Sequence, residues 1–99
     1  MEDGLSVGMI ARTVIVEGHV QGVWFRDWTV QVARAIGVSG WVRNRTDGGV
    51  EVYVVGETDL VERLIDRLRE GSPASRVERI DVHEAPLQPV DGFTRRGSD

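Results

Sequence analysis

The stretch GWVRNRTDGGVEVYVV, residues 40–55, decides how the rest of the chain must be arranged. Gly40–Asn44 reads as a short strand. Thr46-Asp47-Gly48-Gly49 reads as a tight turn, because an Asp-Gly pair accepts the positive φ that hairpin turns require. Val50–Val55 then returns as the second arm. A lone hairpin is marginal in water, so neighbouring segments must cover it. Before it, Arg26–Ile36 reads as a helix. Phe25, Trp28 or Thr29, Val32, Ala33 and Ile36 share one face, and Gly37 stops it. After it, a second helix runs from a cap at Thr58 or Asp59 to Arg69. Leu60, Val61, Leu64, Ile65 and Leu68 form its apolar stripe, and Gly71 with Pro73 ends it. Further out, Ala11–Glu17 is a β-branched strand, and Gly18–Phe25 is the loop that follows. Arg76–Glu84 alternates as a strand, and Phe93–Arg95 reads as a short last strand. The order is β-α-β-β-α-β. It predicts an α+β, ferredoxin-like sandwich with two helices packed on one face of an antiparallel sheet.

Length and composition narrow the chemistry. Ninety-nine residues allow one domain, read here as 1–99 with 1–8 and 97–99 as flexible ends. A composition of 40% hydrophobic and 28% charged residues excludes wholesale disorder. The chain contains no cysteine, which removes disulfides, thiolate nucleophiles and Cys-based metal sites. All 12 basic residues are arginine, which removes Schiff-base chemistry and a P-loop lysine. A net charge of −4 argues against a broad nucleic-acid surface. No segment has the make-up of a signal peptide, and none approaches the ~20 apolar residues of a membrane span. The expected location is therefore cytoplasmic, with no membrane partner. Any anion the chain binds must be held by a local device.

Two segments could form such a device. In Gly18-His19-Val20-Gln21-Gly22-Val23-Trp24-Phe25-Arg26, glycines sit between a strand and a helix. Such a junction offers unpaired backbone N–H groups and the positive end of a helix dipole. Arg26, at the helix start, adds a planar fork of donors for phosphate. From spacing alone the loop either cradles an anion or only turns the chain. Asn44, beside the hairpin turn, either orients a water molecule or bonds its own backbone.

Taken together, G-x-V-Q-G-V-x-F-R over Gly18–Arg26 and G-W-V-x-N-x-x-D-G over Gly40–Gly48 closely resemble the acylphosphatase family. The resemblance covers roughly Arg12 to Val82. It implies hydrolysis of the mixed anhydride of a carboxylic acid and phosphate, by a small monomer that needs no metal or cofactor. It maps the phosphate-cradling loop onto His19, Val20, Gln21, Gly22, Val23, Trp24 and Phe25. The phosphate-binding arginine maps onto Arg26 and the water-orienting asparagine onto Asn44. Gly18 and Thr46 stand behind these as supporting candidates. Inorganic phosphate and sulfate are expected to compete with the acyl phosphate. The resemblance weakens after Pro86, which leaves the pairing of Phe93–Arg95 open.

Other residues are read as structural. His19 is a rim residue rather than a base, and His83 is an exposed sheet position. Asp47 serves the turn. Ser72 and Ser75 serve a loop. Trp24, Trp28 and Trp41 are packing residues. Arg43 and Arg45 point away from Asn44 into solvent, where they could steer an anion. Two other readings of the fold stay open: a non-catalytic or carbamoyl-phosphate-handling binding module, and an RNA-recognition module. The second lacks basic character and stacking aromatics on Val50–Val54.

Overall fold

The computed structural model describes residues 8–97. Its elements are β1 (Met9–His19), α1 (Phe25–Ile36), β2 (Ser39–Asn44), β3 (Val50–Glu57), α2 (Thr58–Glu70), β4 (Arg76–Glu84) and β5 (Phe93–Arg95). Strand order across the single sheet is β4-β1-β3-β2-β5. The first four strands are antiparallel neighbours in the ferredoxin-like arrangement. The sheet as a whole is mixed, because β5 lies parallel to β2, with Gly40, Trp41 and Val42 opposite Phe93, Thr94 and Arg95. That corrects the wholly antiparallel sheet expected from the element order.

The core lies between the sheet and the helices. Val14 and Val16 of β1, Val42 of β2, and Val50, Val52 and Val54 of β3 alternate onto this face and are fully buried. Phe25, Val32 and Ala33 of α1 and Val61, Leu64 and Leu68 of α2 cover them. Thr29 is also buried on α1, its hydroxyl donating to the Phe25 carbonyl at 2.9 Å. β-Branched valine suits a pleated surface under helices, and its stiff χ1 loses little freedom there.

The opposite face is covered differently. After β4 the chain crosses it to reach the far edge. Tyr53 pins the crossing: its hydroxyl donates to the Pro86 carbonyl at 2.8 Å and accepts the Gln88 N–H at 2.9 Å. Ala85 and Val90 pack on Ala11, Tyr53 and Val55 beneath. A proline-bearing segment suits this path, because it gives up few backbone donors while lying across a face. It also covers the surface an RNA-recognition module would need.

Several boundaries differ from the sequence reading. β1 extends through Gly18 and His19, with a bulge between Glu17 and Gly18 against β4. A Cβ on Gly18, whose φ is +134°, would lie 2.1 Å from the Arg76 carbonyl oxygen. Gly18 therefore lets two backbones approach rather than curling the loop. α2 has Glu57 at its N-cap and no side-chain cap. Thr58, expected as a cap, donates its N–H and hydroxyl to the Gly8 carbonyl at 2.7 and 3.0 Å. That contact anchors Gly8, which was expected to be loose. The other expected loose ends fall at 1–7 and 98–99, outside the described residues, except for exposed Gly97.

Gly18→Ala should destabilise the protein by about 3 kcal/mol or more, since both nearest neighbours are backbone atoms that cannot step aside. Urea unfolding measures this directly, and a loss below about 1 kcal/mol would contradict the close approach of β1 and β4.

Candidate active site

Three strands of the sheet point the same way. β1 and β2 both run antiparallel to β3, and β5 runs parallel to β2. Their C-terminal ends, His19, Asn44 and Arg95, meet at the edge where α1 begins. A cleft of about 250 Å³ opens there, with Gly22, Trp24, Arg26, Asp27, Asn44 and Arg95 among its lining residues.

The loop itself is Val20–Trp24, shorter than the expected His19–Phe25. His19 still pairs with Arg76 in the sheet and does not line the cleft. Phe25 is the first residue of α1; its ring is buried in the core, and it too lines the cleft. Gly22 and Trp24 both have positive φ, at 74° and 64°. A left-handed conformation costs a side-chain-bearing residue about 1–2 kcal/mol. Trp24 is held in it as the N-cap of α1, its carbonyl accepting the Trp28 N–H at 3.0 Å. Its indole is 77% exposed at the cleft, against the expectation that it packs. Trp28 does pack: its ring lies 5.3 Å from Phe25, with Arg67 over it. Among the described residues, the backbone N–H groups of Val20 to Trp24 donate to no protein acceptor. Such a run of free donors at a helix start is suited to an anion.

A side chain anchors the loop. Gln21 Nε2 donates to the Arg45 carbonyl at 2.8 Å and to the Gly49 carbonyl at 2.7 Å. Both carbonyls belong to the β2–β3 turn, which Arg45 closes by donating its N–H to Gly49 at 2.8 Å. Asp47 stiffens that turn, with Oδ1 accepting the Gly49 N–H at 2.9 Å and Oδ2 lying 3.1 Å from Arg45 Nη2. The Gly49 N–H first, and the Arg45 guanidinium next, hold the Asp47 carboxyl below the usual carboxylate range. This is the turn role expected of Asp47. The Gln21 clamp has no local sequence signal, since its acceptors lie 24 and 28 residues away.

Asn44, the last residue of β2, lines the cleft, and its amide has no hydrogen-bond partner among the described residues. The alternative in which it bonds its own turn does not occur. Arg26 Nη1 donates to the Arg96 carbonyl at 2.8 Å, just past β5. Its guanidinium thus rests on the C-terminal segment rather than on the loop. Arg95 Nη1 donates to Asp27 Oδ1 at 3.1 Å. Neither Asp27 nor Arg95 was singled out by sequence. β5 has only three residues, and nothing in its sequence names the strand it joins.

Thr46 is exposed and outside the cleft. Arg43 pairs with Glu51 at 2.6 Å and lies over the Trp41 ring, on the sheet face opposite Val42. Arg43 and Arg45 remain partly exposed but each is engaged with a carboxylate, which weakens them as steering charges. Trp41 stacks on Tyr53 at 6.0 Å. Ser75 donates its N–H and hydroxyl to the Ser72 carbonyl in the loop after α2. His83 is an exposed residue of β4. Among the described residues no three His, Asp or Glu side chains cluster as metal ligands would, and no helix is long and apolar enough to cross a membrane.

The acylphosphatase family model matches residues 12–95, from within β1 to the end of β5. The chain belongs to the acylphosphatase family. An acylphosphatase of Rhizorhabdus wittichii is 55% identical over 87 residues, covering 88% of each chain. The solved structure of an acylphosphatase from Coxiella burnetii superposes with a TM-score of 0.88 at 32% identity, covering 92% of this chain and 96% of that one. Full-length HypF, solved in a phosphate- and nucleotide-bound form, matches with a TM-score of 0.85 at 31% identity. That match covers 91% of this chain but 12% of HypF. As a family member the chain is a phosphohydrolase of small acyl phosphates.

Asp47 titration tests the turn that carries the Gln21 clamp. Its folded pKa is lowered, so its contribution to the turn is present above the ordinary value of about 3.9 and is lost as pH falls through the lowered one. NMR should give Asp47 a midpoint below that of a free aspartyl peptide, with the Gly49 amide shift following it. A midpoint at or above the peptide value would contradict the geometry.

Proposed function

We propose that the free N–H groups of Val20–Trp24 and the Arg26 guanidinium bind the phosphoryl group, and that Asn44 orients the attacking water. The observation that carries this reading is the convergence of unpaired donors, a guanidinium and an unpartnered amide on one cleft. Water attacks phosphorus, the bond from phosphorus to the acyl oxygen breaks, and the products are a carboxylate and inorganic phosphate. The leaving carboxylate has a conjugate-acid pKa near ~4–5, as side-chain carboxyls do, so it departs without a general acid. Phosphoryl transfer of this kind is served chiefly by positioning and by charge stabilisation on the equatorial oxygens. Arg26 and the loop donors supply the charge stabilisation, and Gln21 keeps those donors in place against the β2–β3 turn. A phosphate oxygen of the substrate accepts the water's proton, while the carboxylate in the cleft lining, Asp27, is paired with Arg95.

Binding here is confined to one cleft of a chain whose net charge is −4, which keeps polyanions off the rest of the surface. The protein acts as a single-domain monomer in the cytoplasm, without a metal. Inorganic phosphate and sulfate compete with substrate, since both present the same oxygens to the loop.

Benzoyl phosphate hydrolysis tests the assignment. Arg26→Ala and Asn44→Ala should each lower kcat/KM by roughly 10²–10³-fold, or about 2.7–4 kcal/mol of barrier. Arg26→Ala should also weaken inhibition by phosphate, whereas Asn44→Ala should lower kcat and leave phosphate inhibition nearly intact. Full activity in Arg26→Ala would refute the site. An essential enzyme base titrating near neutrality in the pH–rate profile would refute the proton route.

Gln21→Ala should raise KM for benzoyl phosphate several-fold and lower stability by about 1–2 kcal/mol, because it unmakes two hydrogen bonds to the turn. Steady-state kinetics with thermal unfolding checks both, and an unchanged KM would detach the clamp from the site.

A further inference from the structure

The loop, Arg26 and Asn44 account for the phosphoryl group and the water. Two charged residues of the same cleft, Asp27 and Arg95, are left over. A carboxylate in a cleft that receives a phosphoryl dianion opposes binding unless something balances it. Arg95 does so, through one Nη1 contact of 3.1 Å to Asp27 Oδ1. The pair is open to solvent, with side chains 48% and 42% exposed. Such a pair holds together by a factor of about five at most, and less in salt. Arg95 therefore has donors to spare: a guanidinium carries five N–H groups, and among the described residues only one is engaged.

Arg26 is placed differently. Its guanidinium is tethered to the Arg96 carbonyl, one residue beyond Arg95. The end of β5 thus brings two arginines to one cleft, one fixed on backbone and one held by an exchangeable carboxylate. A volume of about 250 Å³, near the small end of ligand pockets, leaves room beside the phosphoryl group for part of an acyl group. Against a chain of net charge −4, the lining carries two guanidinium groups and one carboxylate, a local excess of one positive charge.

We propose that Arg95 exchanges Asp27 for an anionic group on the acyl side of the substrate, so that the enzyme favours acyl phosphates whose acid carries a second carboxylate. This deepens the hydrolase reading and rests on it. With a neutral acyl group, Arg95 stays on Asp27. With a second carboxylate, the guanidinium fork makes a new charge-assisted contact, and Asp27 turns to solvent. Asp27 thereby sets the selectivity, as the internal ligand that a substrate carboxylate must displace.

The experiment compares kcat/KM for benzoyl phosphate, for its 3- and 4-carboxy derivatives, and for the matching carboxamides. The carboxamides have the same shape without the charge. In the wild type at low ionic strength, at least one carboxy substrate should exceed its carboxamide by about two- to fivefold, mostly through KM, and salt should erode the difference. Arg95→Gln should bring that ratio close to one, Arg95→Lys should keep part of it, and Asp27→Asn should raise it. A purely structural Arg95–Asp27 pair would change all substrates alike and leave the ratio untouched. A wild-type ratio of one, or a ratio unmoved in Arg95→Gln, overturns the proposal while hydrolysis of benzoyl phosphate still upholds the phosphohydrolase reading. No hydrolysis of any substrate would sink both.

Discussion

One level of the sheet fixes the site. Val50, the first residue of β3, is in register with Val16 on β1 and with Asn44 on β2. β1 and β2 do not pair with each other, yet both are hydrogen-bonded to β3, so their ends stand two strand spacings apart, roughly 10 Å. That separation lets the Val20–Trp24 loop and the Asn44 amide face a common cleft. Val50 is fully buried, and so are Val16 and Val42 beside it. A slip of one residue would turn every one of these side chains to the wrong face, and the cost of exposing them holds the register.

The polar clamps build on that level. Gln21 reaches from the loop to the turn between β2 and β3, and Asp47 holds the same turn from within. The crossing segment, pinned on Tyr53, carries β5 to the outer edge of β2. There Gly40 donates to the Gly92 carbonyl and Arg96 donates to the Val42 carbonyl, at 2.9 and 2.8 Å. That docking places Arg95 and the Arg96 carbonyl against the Asp27 and Arg26 side chains of α1. Arg96 also lies 4.5 Å above the Trp41 ring on the other face, so the peptide that receives Arg26 is held from both sides. Arginine suits this arrangement, because a planar fork can keep one donor on a carbonyl and offer the others elsewhere.

Much of this was legible along the chain. The Asp-Gly turn, the two apolar stripes and the β-branched runs named every element, and β4 and β5 fell at their expected residues. Arg26 and Asn44 stood out by motif, and both line the cleft. The misreadings have definite causes. Gly18 looked like loop glycine, but a bulge between β1 and β4 uses it, and bulges leave no local period to read. Trp24 looked like a packing residue. Yet of three consecutive bulky residues at a helix start, one must turn outward, and the left-handed N-cap selects it. Thr58 looked like a cap until its hydroxyl found Gly8, 50 residues away.

The sequence by itself determined the element order, the faces each element buries, and the chemistry open to a chain whose cations are all arginine. Those properties depend on local periodicity and on side-chain identity, which are present before folding. Only the tertiary structure decided that β5 lies parallel to β2, that Gln21 ties the loop to a distant turn, and that Arg95 and Asp27 share the cleft with Arg26. Each of these is a contact between residues from 24 to 68 positions apart, or a pairing of strands separated by half the chain. Such contacts form only when burial of the valine-lined sheet has brought the segments together, so no stretch of sequence contains them.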